Sequence, residues 1–253
     1  IFMRDQHLAR LRRSAEAIGL TIPIPDAQWP DLLHEAMRRN EVGNDRVDAY
    51  LRITISRGEG EVGLAPALCP RPTVVILTKV LHPSPPALSR DGVTLTVANT
   101  RRNLPEALSP HIKSTNFLNN ILAKRESIAA GTFDSLFLNW REELTECTIS
   151  NLFFISNGTV HTPSLDCGIL DGITRAIVMT LAEEEGLPVQ EGHYHLADLR
   201  QADECFLTNT SMEVMPVSRV DAWPIGDGRP GPLTRRLQAR FAASRTRFLA
   251  PAP

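Results

Sequence analysis

The chain has 253 residues, enough for one large or two small domains with a real hydrophobic core. Apolar residues make up 42% and charged residues 22%, and the formal net charge is −2 with no block of like charges. That balance offers no basic stripe for a nucleic-acid backbone. The longest apolar run, around Val74–Leu81, is broken by Lys79 and falls well short of the roughly 20 residues of a membrane span.

Residues 5–18 place Leu8, Leu11, Ala15 and Ile18 at helical spacing, and Gly19 follows as a stop. Asp26–Arg39 reads as a second helix, with Trp29, Leu32, Leu33 and Met37 on one face. Alternation and β-branching make Asp48–Ser56 a strand, Arg57–Gly63 a glycine-rich turn, and Thr73–Leu81 a second strand apolar enough to be buried. His82–Gly92, with three prolines, two serines and a closing Asp-Gly, places a linker at 83–92 between a small domain, 1–82, and a larger one, 93–253. The larger one reads as strand Val93–Ala98, helix Ser114–Gly131, strands Ser135–Asn139, Asn151–Ser156 and Thr159–Thr162, helix Ile173–Glu185, strand Glu204–Asn209 and helix Gly231–Ser244. The class is α+β in two domains. The chain starts at Ile1 rather than Met and is inside an amphipathic helix by Gln6–Ala15, so a preceding segment is expected to be missing.

Cys69, Cys147, Cys167 and Cys205 are scattered with no CxxC pair, which reads as reduced thiols of a cytoplasmic protein rather than a zinc knuckle or disulfide framework. His193 and His195 stand two apart with no further ligand at metal spacing, so no metal site is expected. There is no GxSxG elbow, and RGEGEVG is neither a Walker A loop nor GxGxxG.

Four features carry chemistry. Lys113, in SPHIKSTNFLNN, stands before a helix near Ile112 and Phe117; an apolar setting lowers a lysine's pKa and makes it a nucleophile towards an aldehyde, although most lysines are solvated. Glu146, in LTECTISNLFFI, stands between apolar segments, where a carboxylate needs a partner; a protonated pyridine nitrogen is one, and a strand-edge glutamate is the plainer reading. Gly172 precedes a helix whose first N–H groups belong to Ile173 and Thr174, which reads as an anion site or as an ordinary capped helix. Thr208-Asn209-Thr210-Ser211 ends a strand with hydroxyls and N–H groups that suit a phosphate or carboxylate, or simply a polar turn.

In order, IKSTNFLNN, TECTISNLFF, TPSLDCGILDGITR and ADECFLTNTSMEVMPV, with HLARL before and GPLTRRL after them, resemble the class IV (fold-type IV) aminotransferase family over nearly the whole chain. That family holds branched-chain and D-amino-acid aminotransferases and 4-amino-4-deoxychorismate lyases. The resemblance implies a small α/β domain and a larger pseudo-barrel domain, pyridoxal 5′-phosphate (PLP) as cofactor, amino-acid and 2-oxo-acid substrates, and a homodimer. It implies that Lys113 forms the Schiff base and moves the proton between the α-carbon and the cofactor C4′. Glu146 would pair with the pyridine nitrogen, and Leu170 would lie against the ring. Arg10, the N–H groups of Ile173 and Thr174, and the Thr210 hydroxyl would hold the phosphate, while Ser211 and Met212 belong to the loop that meets the substrate carboxylate. Members carry further strands before HLxRL, which is where the missing segment would fall.

Within the family, Lys113-Ser-Thr-Asn116-Phe117 is one residue shorter than the branched-chain spacing and lacks its tyrosine. The Arg-x-His trap of the D-specific enzymes is absent, Val62 and Leu64 depart from the lyase run RGxGxRGY, and Asn209 and Met212 replace the Gly and Ala of TGTAAE. The reading is a PLP-dependent aminotransferase, with the lyase that releases pyruvate and 4-aminobenzoate as the alternative.

Overall fold

The structure, a computed structural model, describes residues 1–43 and 48–250. The described residues divide into two compact units, one of Ile1–Pro83 with Leu249 and Ala250, the other of Ser84–Phe248.

In the first unit, α1 (Arg4–Ala17) and α2 (Trp29–Arg39) accompany a two-stranded antiparallel sheet of β1 (Ala49–Ser56) and β2 (Thr73–Val80), in register from Ala49 opposite Val80 to Ser56 opposite Thr73. Asp26–Gln28 is a 3₁₀ turn, and the α-helix proper starts at Trp29 with a proline in its first turn, where the missing N–H costs nothing. Leu8, Trp29 and Leu33 are buried, with Ile53, Ile55, Val74 and Ile76 packed on them. The expectation of a buried second strand is corrected here. Val75 and Leu77 are exposed, because successive side chains of a strand point to opposite faces and this unit's core takes only Val74 and Ile76. In the turn after β1, Gly58 has φ +87°, and a Cβ there would run into the Arg71 carbonyl, so the position requires glycine.

The second unit opens with α3 (Pro86–Asp91), so the stretch read as linker holds a helix, started by proline at its first position. Then come β3 (Val93–Val97), α4 (Leu118–Ala130), β4 (Asp134–Leu138), β5 (Leu144–Cys147), β6 (Asn151–Ser156), β7 (Thr159–Pro163), α5 (Ile173–Glu184), β8 (Val189–Gly192), α6 (Leu196–Arg200), β9 (Glu204–Asn209), β10 (Glu213–Val220), β11 (Trp223–Pro224) and α7 (Pro232–Ser244). The sheet runs β11-β10-β3-β4-β5-β6-β7-β8, and β9 pairs with both β10 and β6. Strands β10, β3, β4, β5, β6 and β9 therefore close into a ring, the barrel-like sheet of the expected fold, with no free edge among its members. Leu95, Leu136, Leu144, Leu152, Leu207 and Met215 belong to its buried core.

Helix α4 starts at Leu118, not at Ser114. The Ser114 hydroxyl accepts the Asn116 N–H at 3.2 Å, a local turn that competes with helix formation. Strand β10 escaped the sequence reading because Pro216 lies in it. The structure accommodates that proline in the half of the strand that pairs with β9 alone, before the parallel pairing with β3 begins at Val217.

Candidate active site

Glu146 lies on β5, a four-residue strand whose every residue is buried. Its Oε1 accepts from Arg102 Nη2 at 2.6 Å, and its Oε2 accepts from the Leu170 N–H at 3.0 Å and from Asn151 Nδ2 at 3.1 Å. Both members of the Arg102–Glu146 pair are nearly inaccessible, at 7% and 6% side-chain exposure, so the pair is desolvated and its geometry decides whether it is stable. The geometry is well completed: Arg102 also donates to the Gly168 carbonyl and to the Asn119 and Asn120 side chains. Burial pushes the Glu146 carboxyl above the ordinary glutamate value, opposed first by the Arg102 cation, then by the Leu170 N–H and the Lys113 cation.

Asn151, the first residue of β6, connects strand and loop. Its Nδ2 donates to Glu146 and, at 2.9 Å, to the Leu170 carbonyl. Gly172 has an ordinary φ of −77°, yet a Cβ there would strike Asn151 Oδ1, so this glycine is present for close approach rather than for backbone freedom. With no side chain at that N-cap, the start of α5 carries no side-chain cap. Ile173 and Thr174, expected at a phosphate, are buried in this first turn, and Thr174 Oγ1 is a buried hydroxyl with no partner. A helix N-terminus with an unsatisfied hydroxyl suits an anion, and a buried, fully oriented carboxylate suits a protonated ring nitrogen. These residues fit a phosphorylated pyridine cofactor.

Lys113 is on the loop before α4. The apolar enclosure expected for it is absent: Lys113 and Phe117 are exposed and Ile112 is half-buried. Its charge nevertheless acts on Glu146. Leu170 is half-buried, two residues after the loop glycine that Arg102 reaches. Thr210, Ser211 and Met212 form the turn between β9 and β10, the first two exposed. The N–H groups of Ser211 and Met212 donate to Asn209 Oδ1 at 2.9 and 2.8 Å, so the donors expected to meet a substrate carboxylate are held by a side chain of the same turn. Arg10 belongs to the first unit, buried on α1 near His7.

The structure thus gathers Glu146, Leu170, Ile173 and Thr174 around two residues the sequence reading passed over, Arg102 and Asn151. Arg102 follows another arginine, and no period in the sequence tells which of the two turns inward; Arg101 pairs with Glu142 at the surface. His193, read as outside any metal set, stands beside Glu143 and Cys167, which are distant in sequence.

The family model described as amino-transferase class IV matches residues 1–220. A D-alanine aminotransferase of Listeria monocytogenes is 33% identical over 97% of this chain and 83% of that protein. An aminodeoxychorismate lyase of Bacillus subtilis is also 33% identical, over 95% of this chain and 80% of that protein. Among solved structures, the branched-chain amino acid aminotransferase of Thermoproteus uzoniensis with norvaline superposes with a TM-score of 0.90 at 27% identity, over 100% of this chain and 84% of that one. With the match over most of its length and the ring of strands that carries Glu146, this chain belongs to the class IV aminotransferases, the PLP-dependent transaminases of fold-type IV.

Proposed function

We propose that this enzyme moves an amino group between an amino acid and a 2-oxo acid, with Lys113 as its proton carrier. The observation that carries the reading is Glu146, a buried carboxylate with both oxygens engaged and an arginine fixed behind it. Bound PLP supplies an electron sink for the pair left when a proton leaves the substrate α-carbon. Glu146 holds the proton on the ring nitrogen, and Arg102 opposes the effect of burial on that carboxylate and keeps it aimed. The N–H groups of Ile173 and Thr174 and the hydroxyls of Thr174 and Thr210 hold the phosphate, and Leu170 flanks the ring. Lys113 Nζ takes the α-proton and delivers it to the cofactor C4′. Ser211 and Met212 face the substrate carboxylate once Asn209 releases their N–H groups.

The enzyme works in the cytoplasm as a homodimer. Four free cysteines suit a reducing compartment, and among the described residues no helix is long and apolar enough to cross a membrane. Leu118, Ile121, Leu122 and Ile128 expose an apolar face on α4 that suits a second copy.

The test is an absorbance titration of the PLP-loaded protein with single amino donors (L-glutamate, L-leucine, D-alanine, an (R)-amine) and no oxo acid. Conversion of the lysine-bound cofactor band to the pyridoxamine form by one donor establishes transamination and its substrate class. A band unchanged by every donor, with pyruvate released from aminodeoxychorismate, assigns the lyase activity of the Bacillus subtilis relative instead. Undiminished turnover in Lys113→Ala would remove Lys113 from the chemistry.

A further inference from the structure

We propose that Glu143, Cys167 and His193 form a binding site for a single zinc ion that ties together the segments supporting Glu146. The three residues come from the turn before β5, the 3₁₀ turn after β7 and the loop after β8. Their donor atoms all lie within 4.8 Å of one another. Glu143 Oε1 is 3.0 Å and Cys167 Sγ 3.6 Å from His193 Nδ1. Tetrahedral zinc, with bonds of about 2.0–2.3 Å, sets neighbouring ligand atoms roughly 3.3–3.7 Å apart. The two distances to His193 Nδ1 lie within a few tenths of an ångström of that geometry, and the third, between Glu143 and Cys167, is no more than 4.8 Å.

The surrounding groups orient each ligand. His193 Nε2 lies 3.1 Å from Asp166 Oδ2, the carboxylate–imidazole contact that fixes a metal-binding tautomer. The other oxygen of Glu143 accepts from Asn139 Nδ2 at 2.6 Å and Arg141 Nε at 2.9 Å, leaving Oε1 for the ion. Glu143 and Cys167 are buried while the His193 side chain is 44% exposed, which gives the ion an entry path and a fourth position for water. One sulfur, one nitrogen and one oxygen select zinc over magnesium or calcium, which take oxygen ligands. On binding, the Cys167 proton goes to solvent, and the metal–sulfur bond replaces the S–H contact with the imidazole.

The consequence is positional. Cys167 is followed by Gly168, whose carbonyl Arg102 holds, and by Leu170, whose N–H holds Glu146. Glu143 directly precedes β5. An ion at this point fastens loop to strand without drawing on the hydrogen bonds of the Glu146 carboxylate. The site stands on side chains that the transaminase reading does not use, so it survives or fails separately.

The experiment uses the full-length holoenzyme without a histidine tag, dialysed against micromolar zinc, and a parallel sample loaded with cobalt(II). One zinc retained per chain, and visible cobalt bands of tetrahedral intensity at longer wavelength than the cofactor band, are expected. Both disappear in Cys167→Ser and His193→Ala and persist in Cys69→Ser. If Cys167→Ser does not fold, His193→Ala, at a half-exposed position, answers the same question. Zinc retained by a Lys113→Ala protein that no longer transaminates upholds the site separately from the transaminase reading. Wild-type protein that retains no zinc, or ligand variants that retain it undiminished, overturns the site.

Discussion

Arg102 and Glu146 are each nearly inaccessible to water, and neither is tolerable there alone. Removing one partner of a buried pair strands the other charge, at a cost of about 3–5 kcal/mol, whereas replacing both by apolar groups is often close to neutral. Arg102→Met is therefore expected to lower urea-unfolding stability by about 3–5 kcal/mol, and Arg102→Met with Glu146→Leu to recover most of it while losing transamination. A double variant as unstable as the single one would mean that the loss comes from the contacts of Arg102 with Gly168, Asn119 and Asn120 instead. Asn209 poses the opposite problem, an interaction satisfied too well. Its Oδ1 holds the N–H groups of Ser211 and Met212, and a neutral hydrogen bond is worth about 1 kcal/mol net. If those donors serve a substrate carboxylate, Asn209→Gly frees them and lowers KM for the carboxylate-bearing donor, by up to about tenfold for 1.4 kcal/mol, with kcat little changed. An unchanged KM across carboxylate donors and simple amines would confine the two N–H groups to shaping the turn.

At the scale of elements, α4 holds the chain that leads from β3 to Arg102. Glu126, on α4, accepts the Asn99 N–H at 2.6 Å, the Thr100 N–H at 3.0 Å and the Thr100 hydroxyl at 2.6 Å. Partial burial pushes its carboxyl up, but the Thr100 hydroxyl and the two N–H groups outweigh it and leave the group below the ordinary glutamate value of 4.5. A carboxyl depressed in the folded state stabilises fully above its unfolded pKa, and that contribution fades as pH falls through the folded one. Glu126→Gln should lower stability at neutral pH and flatten this acid-side loss; identical pH profiles for wild type and variant in urea unfolding would sink the assignment. Helices α1 and α2 were legible from apolar residues at helical spacing, because periodicity of 3.6 survives in a single sequence, and α4, α5 and α7 were read as helices as well. Strand β5, with four residues, is too short to show a period, and β10 carries a proline that argues against a central strand until its partner's end point is known. The Glu146 position could be read because a carboxylate among apolar residues is conspicuous. Arg102, Asn151 and the trio Glu143, Cys167 and His193 could not, because their meeting depends on strand order, and strand order is set by long-range pairing that leaves no local trace.

For the second unit as a whole, the decisive feature is closure. Because β9 pairs with β6 on one side and β10 on the other, the six ring strands share their hydrogen bonds without an edge from which to fray. A ligand that binds only the folded ring stabilises it by RT ln(1 + [L]/Kd), about 2.7 kcal/mol at roughly 100 times Kd. If the ring opens as one cooperative unit, PLP at that excess should slow amide exchange about a hundredfold in all six strands, including β3, which carries none of the proposed cofactor contacts. Lys113→Ala, which removes the proposed covalent attachment but leaves Glu146 and the start of α5, should shrink the increment while keeping it uniform around the ring. Protection confined to β5, β6 and α5, with β3 and β10 unchanged, would show instead that the ring opens strand by strand, and that the cofactor steadies only the residues it touches.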